Sequence, residues 1–260
     1  MEITQAQLDS WLLQFFLPFA RIAGMLMVAP VFGTRGVPAM TRLLLALLIC
    51  LLIAPQLPAP APMQPFGAAW WLSVLQQVGL GIVMGFVLQL VFETIMMGGE
   101  LIAFSMGLSF AQMADPIRGS SSPVVGQFLL TLAMLMFLAL NGHLIALELL
   151  ADSFRTLPPG PTGLDAERFR ALALLGGQIF SGGLRLALPV MVALLTVNLA
   201  FGIMSRAAPS LNLMSVGFPA ALIAGLLLVH FSLEGLRPVL QMLLENAWGF
   251  LGSLMEAPGV

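Results

Sequence analysis

Long apolar runs dominate the pattern along the chain, at about residues 11–32, 38–57, 69–113, 124–151, 169–208 and 211–252, separated by short polar or proline-rich breaks. All six are predicted to be helical, because a chain in lipid must satisfy its own backbone hydrogen bonds. The first ends at Ala29-Pro30-Val31-Phe32-Gly33, and a turn through Gly36 and Pro38 leads to the second, which carries Arg42. Residues 55–68 hold five prolines and no charge and read as a stiff, extended linker. Residues 152–170 gather Asp152, Arg155, Asp165, Glu167, Arg168 and Arg170 around three prolines and read as a water-exposed loop. No composition shift or internal repeat divides the chain, so a single domain over 1–260 is expected.

Two runs are too long for simple spans. Trp70 to Phe110 would extend ~60 Å as one helix, at 1.5 Å per residue, against a bilayer core ~30 Å thick. Phe169 to Ala208 poses the same problem, with Pro189 partway along to kink it. Either such helices bend and re-enter, or protein rather than lipid covers much of their apolar surface. The second option points to a larger complex.

Composition sharpens this picture. Hydrophobic residues make up 59% of the 260 and charged ones 8%, against about 25% charged in a soluble domain. The chain is therefore of the integral membrane class. Its ten basic residues are all arginines and never cluster beyond two, which argues against nucleic acid as a partner. The single Cys50 lies in an apolar run and has no internal disulfide partner. The N-terminus lacks a basic leader segment, so the first apolar run is expected to stay in the protein. Arginines do not set an orientation: Arg35, Arg42, Arg118 and Arg206 fall on one side of six spans, and Arg155, Arg168, Arg170 and Arg237 on the other.

The most unusual stretch runs from Gly99 to Gly126. It begins as an apolar helix with Met106, Phe110 and Met113 on one face, then breaks into Asp115-Pro116, Ile117, Arg118-Gly119 and a serine run ending Ser122-Pro123. A polar loop between two apolar runs is tolerable at membrane depth only where protein or water lines a cavity. Its apolar shoulders could dewet a narrow channel, with soft methionines sealing it. Pro116 and Pro123 restrict the loop, while Gly119 leaves its middle free to bend.

Signatures of soluble enzymes are missing: there is no HExxH, GxSxG, P-loop or GxGxxG, and His143 and His230 have no matching ligands in sequence. No enzyme activity, cofactor or metal is expected. Charges within apolar runs are costly and default to function. Here they are Arg21, Glu93, Glu100, Glu148, Arg185 and Glu234. Glu93 and Glu100 share a helix face. They would serve an ion relay in a secondary transporter, or face a water-filled lumen or a neighbouring subunit. Small-xxx-small pairs at Gly81/Gly85, Gly177/Ser181, Gly183/Ala187 and Ala221/Gly225 predict close helix packing.

Four blocks resemble the FliR family of flagellar export proteins and its virulence type III secretion relatives. They are Ala29-Pro30 with Phe32-Gly33, Pro38 and Arg42; Gly99-Glu100 through Met106 to Ala111, Asp115-Pro116 and Ser122-Pro123; Asn141-Gly142-His143; and Pro189, Asn198, Gly202 and Ser205 to Pro219. The resemblance implies an all-α fold of long helical hairpins, packed into a hetero-oligomeric helical channel. One copy would close a ring of several copies of FliP and FliQ, with FlhB and the rest of the export apparatus nearby, in the bacterial inner membrane at the flagellar basal body. It implies that Gly107 to Pro123 plugs the channel through which unfolded flagellar subunits pass.

Around Arg206, Pro209 and Asn212 a tight hairpin tip is expected, with Arg206 on the last carbonyls of one helix and Ser210 or Asn212 capping the next, and contact with a partner subunit is the competing reading. An ion-coupled transporter of a small solute is the competing function, resting on Glu93, Glu100 and Arg185.

Overall fold

The computed structural model describes residues 5–33, 36–57, 63–108, 124–159, 166–207 and 213–255, and all regular elements among them are helical. In chain order these are α1 (Gln5–Val28), α2 (Ala39–Ile53) with a 3₁₀ turn (Ala54–Gln56), α3 (Ala68–Ser105), α4 (Val124–Ala139), α5 (Gly142–Thr156), α6 (Ala166–Gly176), α7 (Gln178–Ala207) and α8 (Leu213–Met255). Five stretches among the described residues are long and apolar enough to cross a membrane, and α4 with α5 makes a sixth if the bent pair counts as one. An all-α fold of the membrane type follows.

Local chemistry sets the ends. Pro38 precedes α2, where its fixed φ of −57° suits a helix start. Between α1 and α2, Val31 has φ 71°, a left-handed conformation that strains a β-branched residue. Gly33 donates its amide to Ala29 O at 2.7 Å. A Cβ there would lie 2.7 Å from Met27 O and 2.9 Å from Ala29 O, so only glycine fits the turn.

The fourth apolar run is not one helix. It bends by 66° between α4 and α5, at Asn141, whose φ of 58° ends the α4 geometry. Gly142 follows because a side chain there would strike the Phe137 ring. The expected loop at 152–170 is also shorter than its charges suggest. Asp152 and Arg155 lie in the last turns of α5, and Glu167, Arg168 and Arg170 begin α6. They are the polar faces of two amphipathic helices, which a count of charges cannot tell from a loop.

Contacts divide the chain into two compact units. The first comprises Met1–Leu90, Phe137–Leu174 and Glu245–Val260. Its centre is a seam where α1 and α3 meet without side chains between them. Gly81 lies on the Arg21 and Met25 backbone, Gly85 on Met25 and Ala29, and Gly24 on Val78 O. Leu13, Leu17 and Trp70 extend that core toward the start of α3, with Phe16 stacked on Trp70 at 5.2 Å between ring centroids.

The second unit comprises Val91–Met136 and Leu175–Leu244. Here α3 again supplies the glycines. Gly98 faces Gly183 and Leu186 of α7, and Gly99 faces Gly126 of α4 so closely that a Cβ at 99 would be 2.6 Å from the Gly126 Cα. Gly182 packs on Thr94. The small-residue pairs anticipated at 81/85 and 183/187 are thus spent on helix contacts, and Ala187 is fully buried.

Candidate functional site

The loop that stands out in the sequence has a rigid beginning. α3 ends at Ser105 rather than running on to Met113, because Gly107 turns left-handed with φ 80°. Leu108 N donates to Ala103 O at 3.2 Å and Gly107 N to Phe104 O at 3.0 Å. That pair of bonds is a Schellman cap, which satisfies the last carbonyls of α3 and fixes the direction in which the chain leaves it.

Met106, at the corner, is 1% exposed. The sequence pattern predicts a gasket on a helix face shared with Phe110 and Met113. Within the chain, however, the residue is enclosed, its thioether filling the space a side chain at Gly225 of α8 would occupy. Phe110, Met113, Asp115, Pro116, Ile117, Gly119, Ser122 and Pro123 lie outside the described residues.

Beyond the loop, α4 starts at Val124 and is drawn against α3 two residues later. A Cβ at Gly126 would lie 3.2 Å from both the Glu100 Cγ and Met96 O. The loop is therefore anchored on both sides by helices in backbone contact. Beside its first residues, a cavity of about 380 Å³ is lined by Phe104, Met106, Gly107, Asn198, Phe201 and Phe218. Phe104 is 71% exposed, so aromatic surface flanks the start of the loop.

The charges separate into two kinds. Arg21, expected at a lumen or an interface, is 0% exposed within the first unit. Its Nε donates to Gln77 Oε1 at 2.8 Å. One terminal nitrogen donates to Ser153 O at 2.8 Å and Ser153 Oγ at 3.0 Å. The other donates to Leu157 O at 2.7 Å, and the guanidinium carbon lies 4.4 Å over the Phe154 ring. Among the described residues its hydrogen-bond partners are all neutral. The compensation comes from the carbonyl end of α5, where the helix dipole favours a cation. A planar fork of five donors suits this task, joining α1, α3 and α5 at one point. Nothing local in the sequence marks the assignment, since Gln77 and Ser153 each stand beside other polar residues, Gln76 and Asp152.

Glu93 and Glu100 sit on one side of α3, both half-buried, whereas Arg185 on α7 is exposed. At the hairpin positions, Pro30 is buried and Phe32 and Gly33 are half-buried in the first turn. Arg42 donates to Val37 O through Nε and a terminal nitrogen, at 3.2 and 3.0 Å, and so braces the turn into α2. Arg206 is exposed in the last turn of α7, and Pro219 lies inside α8. Pro209 and Asn212 fall outside the described residues, as does Ser210, so the anticipated cap there does too.

Known proteins resemble this chain in sequence. The family of bacterial export proteins, family 1, matches residues 12–247. The flagellar biosynthetic protein FliR of Pectobacterium carotovorum is 41% identical, over 95% of this chain and 94% of its own length. That of Escherichia coli K12 is 38% identical over 98% of both chains, and that of Bacillus subtilis 30% identical over 79% and 80%. Agreement of this extent, across nearly the whole chain, makes it a member of the FliR family of bacterial export proteins.

Proposed function

We propose that this chain is one subunit of a flagellar type III export gate, assembled with several copies of FliP and FliQ in the bacterial inner membrane. The single observation that carries the reading is uncovered apolar length. Ala166–Ala207 is a 42-residue helical stretch whose most apolar window is 17% buried within the chain, and Gly217–Met255 is a 39-residue one whose window is 22% buried. At 1.5 Å per residue each reaches ~60 Å, about twice a bilayer core. Lipid alone cannot cover surfaces of that length, and contiguous apolar patches this large mark interfaces.

In this reading the segment from Gly107 to Pro123 is the plug. It lies between the cap that ends α3 and the Gly99–Gly126 contact near the start of α4. Unfolded flagellar subunits pass when it is displaced. FlhB and the remaining export apparatus are further partners of the chain in this reading. The chain acts by shape and sealing rather than by bond chemistry.

Gentle detergent extraction tests the assembly. The chain should leave the membrane in a large particle of fixed ratio with two smaller hydrophobic proteins. Purification alone, with saturable binding of a small solute, would establish a transporter instead. Deleting Gly107 to Pro123 tests the plug: the gate should then leak ions while still assembling, and a sealed gate would exclude that role.

A further inference from the structure

Among the described glycines of the second unit, Gly225 leaves the least room for a Cβ, and Met106 is what fills it. A Cβ at 225 would lie 2.5 Å from Met106 Cγ, 2.7 Å from Cε and 2.9 Å from Sδ. Three atoms of one side chain thus occupy the place of a missing one, and Met106 is 1% exposed as a result. The residue that fills the notch is also the corner residue of the α3 cap, directly before Gly107 with φ 80°. Elsewhere on α8, a Cβ at Gly235, Gly249 or Gly252 would meet nothing within 4 Å. Glycine at 225 is therefore tied to a neighbour, and that neighbour stands where the chain leaves the helix.

We infer that Met106 and Gly225 are positioning residues: the thioether seated in the Gly225 notch keys the end of α3 onto α8 and so fixes where the following loop begins. The assignment of a sealing role to that loop rests on the export-gate reading; the keyed contact itself does not. Methionine suits the task because its unbranched chain follows an irregular notch that a branched residue would not enter. The cavity of about 380 Å³ beside it, lined by Phe104, Phe201 and Phe218, leaves room for the side chain once it is expelled. Enlarging residue 225 should therefore move the α3 end rather than unfold the unit.

The test uses the full chain in its membrane assembly, with Cys50→Ala to remove the native thiol. In the Met106→Cys/Gly225→Cys variant, mild oxidation should join the two positions almost completely, while a control pair, Met106→Cys/Gly235→Cys, should not join. A size exchange supplies the second arm. Gly225→Val should raise ion leakage about tenfold and lower the melting temperature of the particle. Met106→Ala/Gly225→Val should bring both back to near the unsubstituted values, because the valine then occupies the space the methionine vacates. Failure to cross-link overturns the inference, as does a double variant no better than Gly225→Val in melting temperature. If the double variant recovers its melting temperature and cross-linking succeeds but no variant leaks, the keyed contact stands. The sealing role of the loop then fails, and deletion of Gly107 to Pro123 reports that failure independently.

Discussion

α3 and the α6–α7 stretch are nearly matched as sequences and opposite as structures. Each is about forty residues of helix, 38 against 42, and their most apolar windows have mean hydropathies of 2.0 and 2.2, yet the window of the one is 67% buried within the chain and that of the other 17%. The difference lies in where the small residues fall. α3 carries Gly81 and Gly85 toward α1, Gly98 toward α7 and Gly99 toward α4, so neighbours approach it from several directions. α7 presents Gly183, Ala187, Val190 and Leu194 inward on one face only. Its other face is a stripe of Leu184, Leu188, Val192, Leu195 and Leu199, all exposed. Hydropathy measures how much apolar surface a helix has; the spacing of its glycines tells whether its own chain covers it.

The largest effect should come from the inside. Arg21→Met leaves Gln77 Oε1, Ser153 O and Leu157 O without their buried donor and should cost about 3–5 kcal/mol. Loss of the chain from membranes, read by its steady-state amount and protease resistance, is the expected result. Arg21→Lys should recover only part of it, since an ammonium cannot fork toward three elements. Next comes the outer stripe. Leu199→Asp should leave the packing of α3 intact but cost about 2–3 kcal/mol wherever that face meets lipid or an apolar partner. Normal amounts of chain with a lost large particle would display the contrast directly.

Smaller still is a matched pair of glycines. Gly81→Ala forces a methyl onto the α1 backbone and should destabilise by about 1–3 kcal/mol, whereas Gly235→Ala meets open space and should stabilise the helix by up to about 1 kcal/mol. Melting temperatures that move in the same direction would erase the distinction between covered and uncovered helices. The smallest effect is expected at Gly107→Ala, where a left-handed position costs a side chain about 1 kcal/mol, visible as a slight fall in melting temperature.

Much of this architecture is legible in the sequence. The apolar runs locate the helices because backbone satisfaction in lipid leaves few alternatives, and the small-residue pairs on α3 and α7 foretell close contacts. Relations between distant positions stay hidden. Arg21 meets Ser153 across 132 residues, and no local pattern distinguishes that enclosed arginine from one facing a lumen. The end of α3 is overestimated from sequence because the helical spacing of Met106, Phe110 and Met113 masks the stop signal at Gly107. The bend at Asn141 carries a signal, Asn-Gly, that apolar flanks obscure. Charges at 152–170 suggest a loop, yet exposure, not irregular backbone, is what charge reports.

A photoreactive residue placed in turn at Leu195, Leu199 and Phe231, all 64–73% exposed on α7 and α8, decides whether the outer helices face neighbouring subunits. Covalent adducts with particular partner proteins are expected at each position in the native membrane. Adducts with lipid alone at all three would contradict that, because the long outer helices would then need no neighbouring subunit.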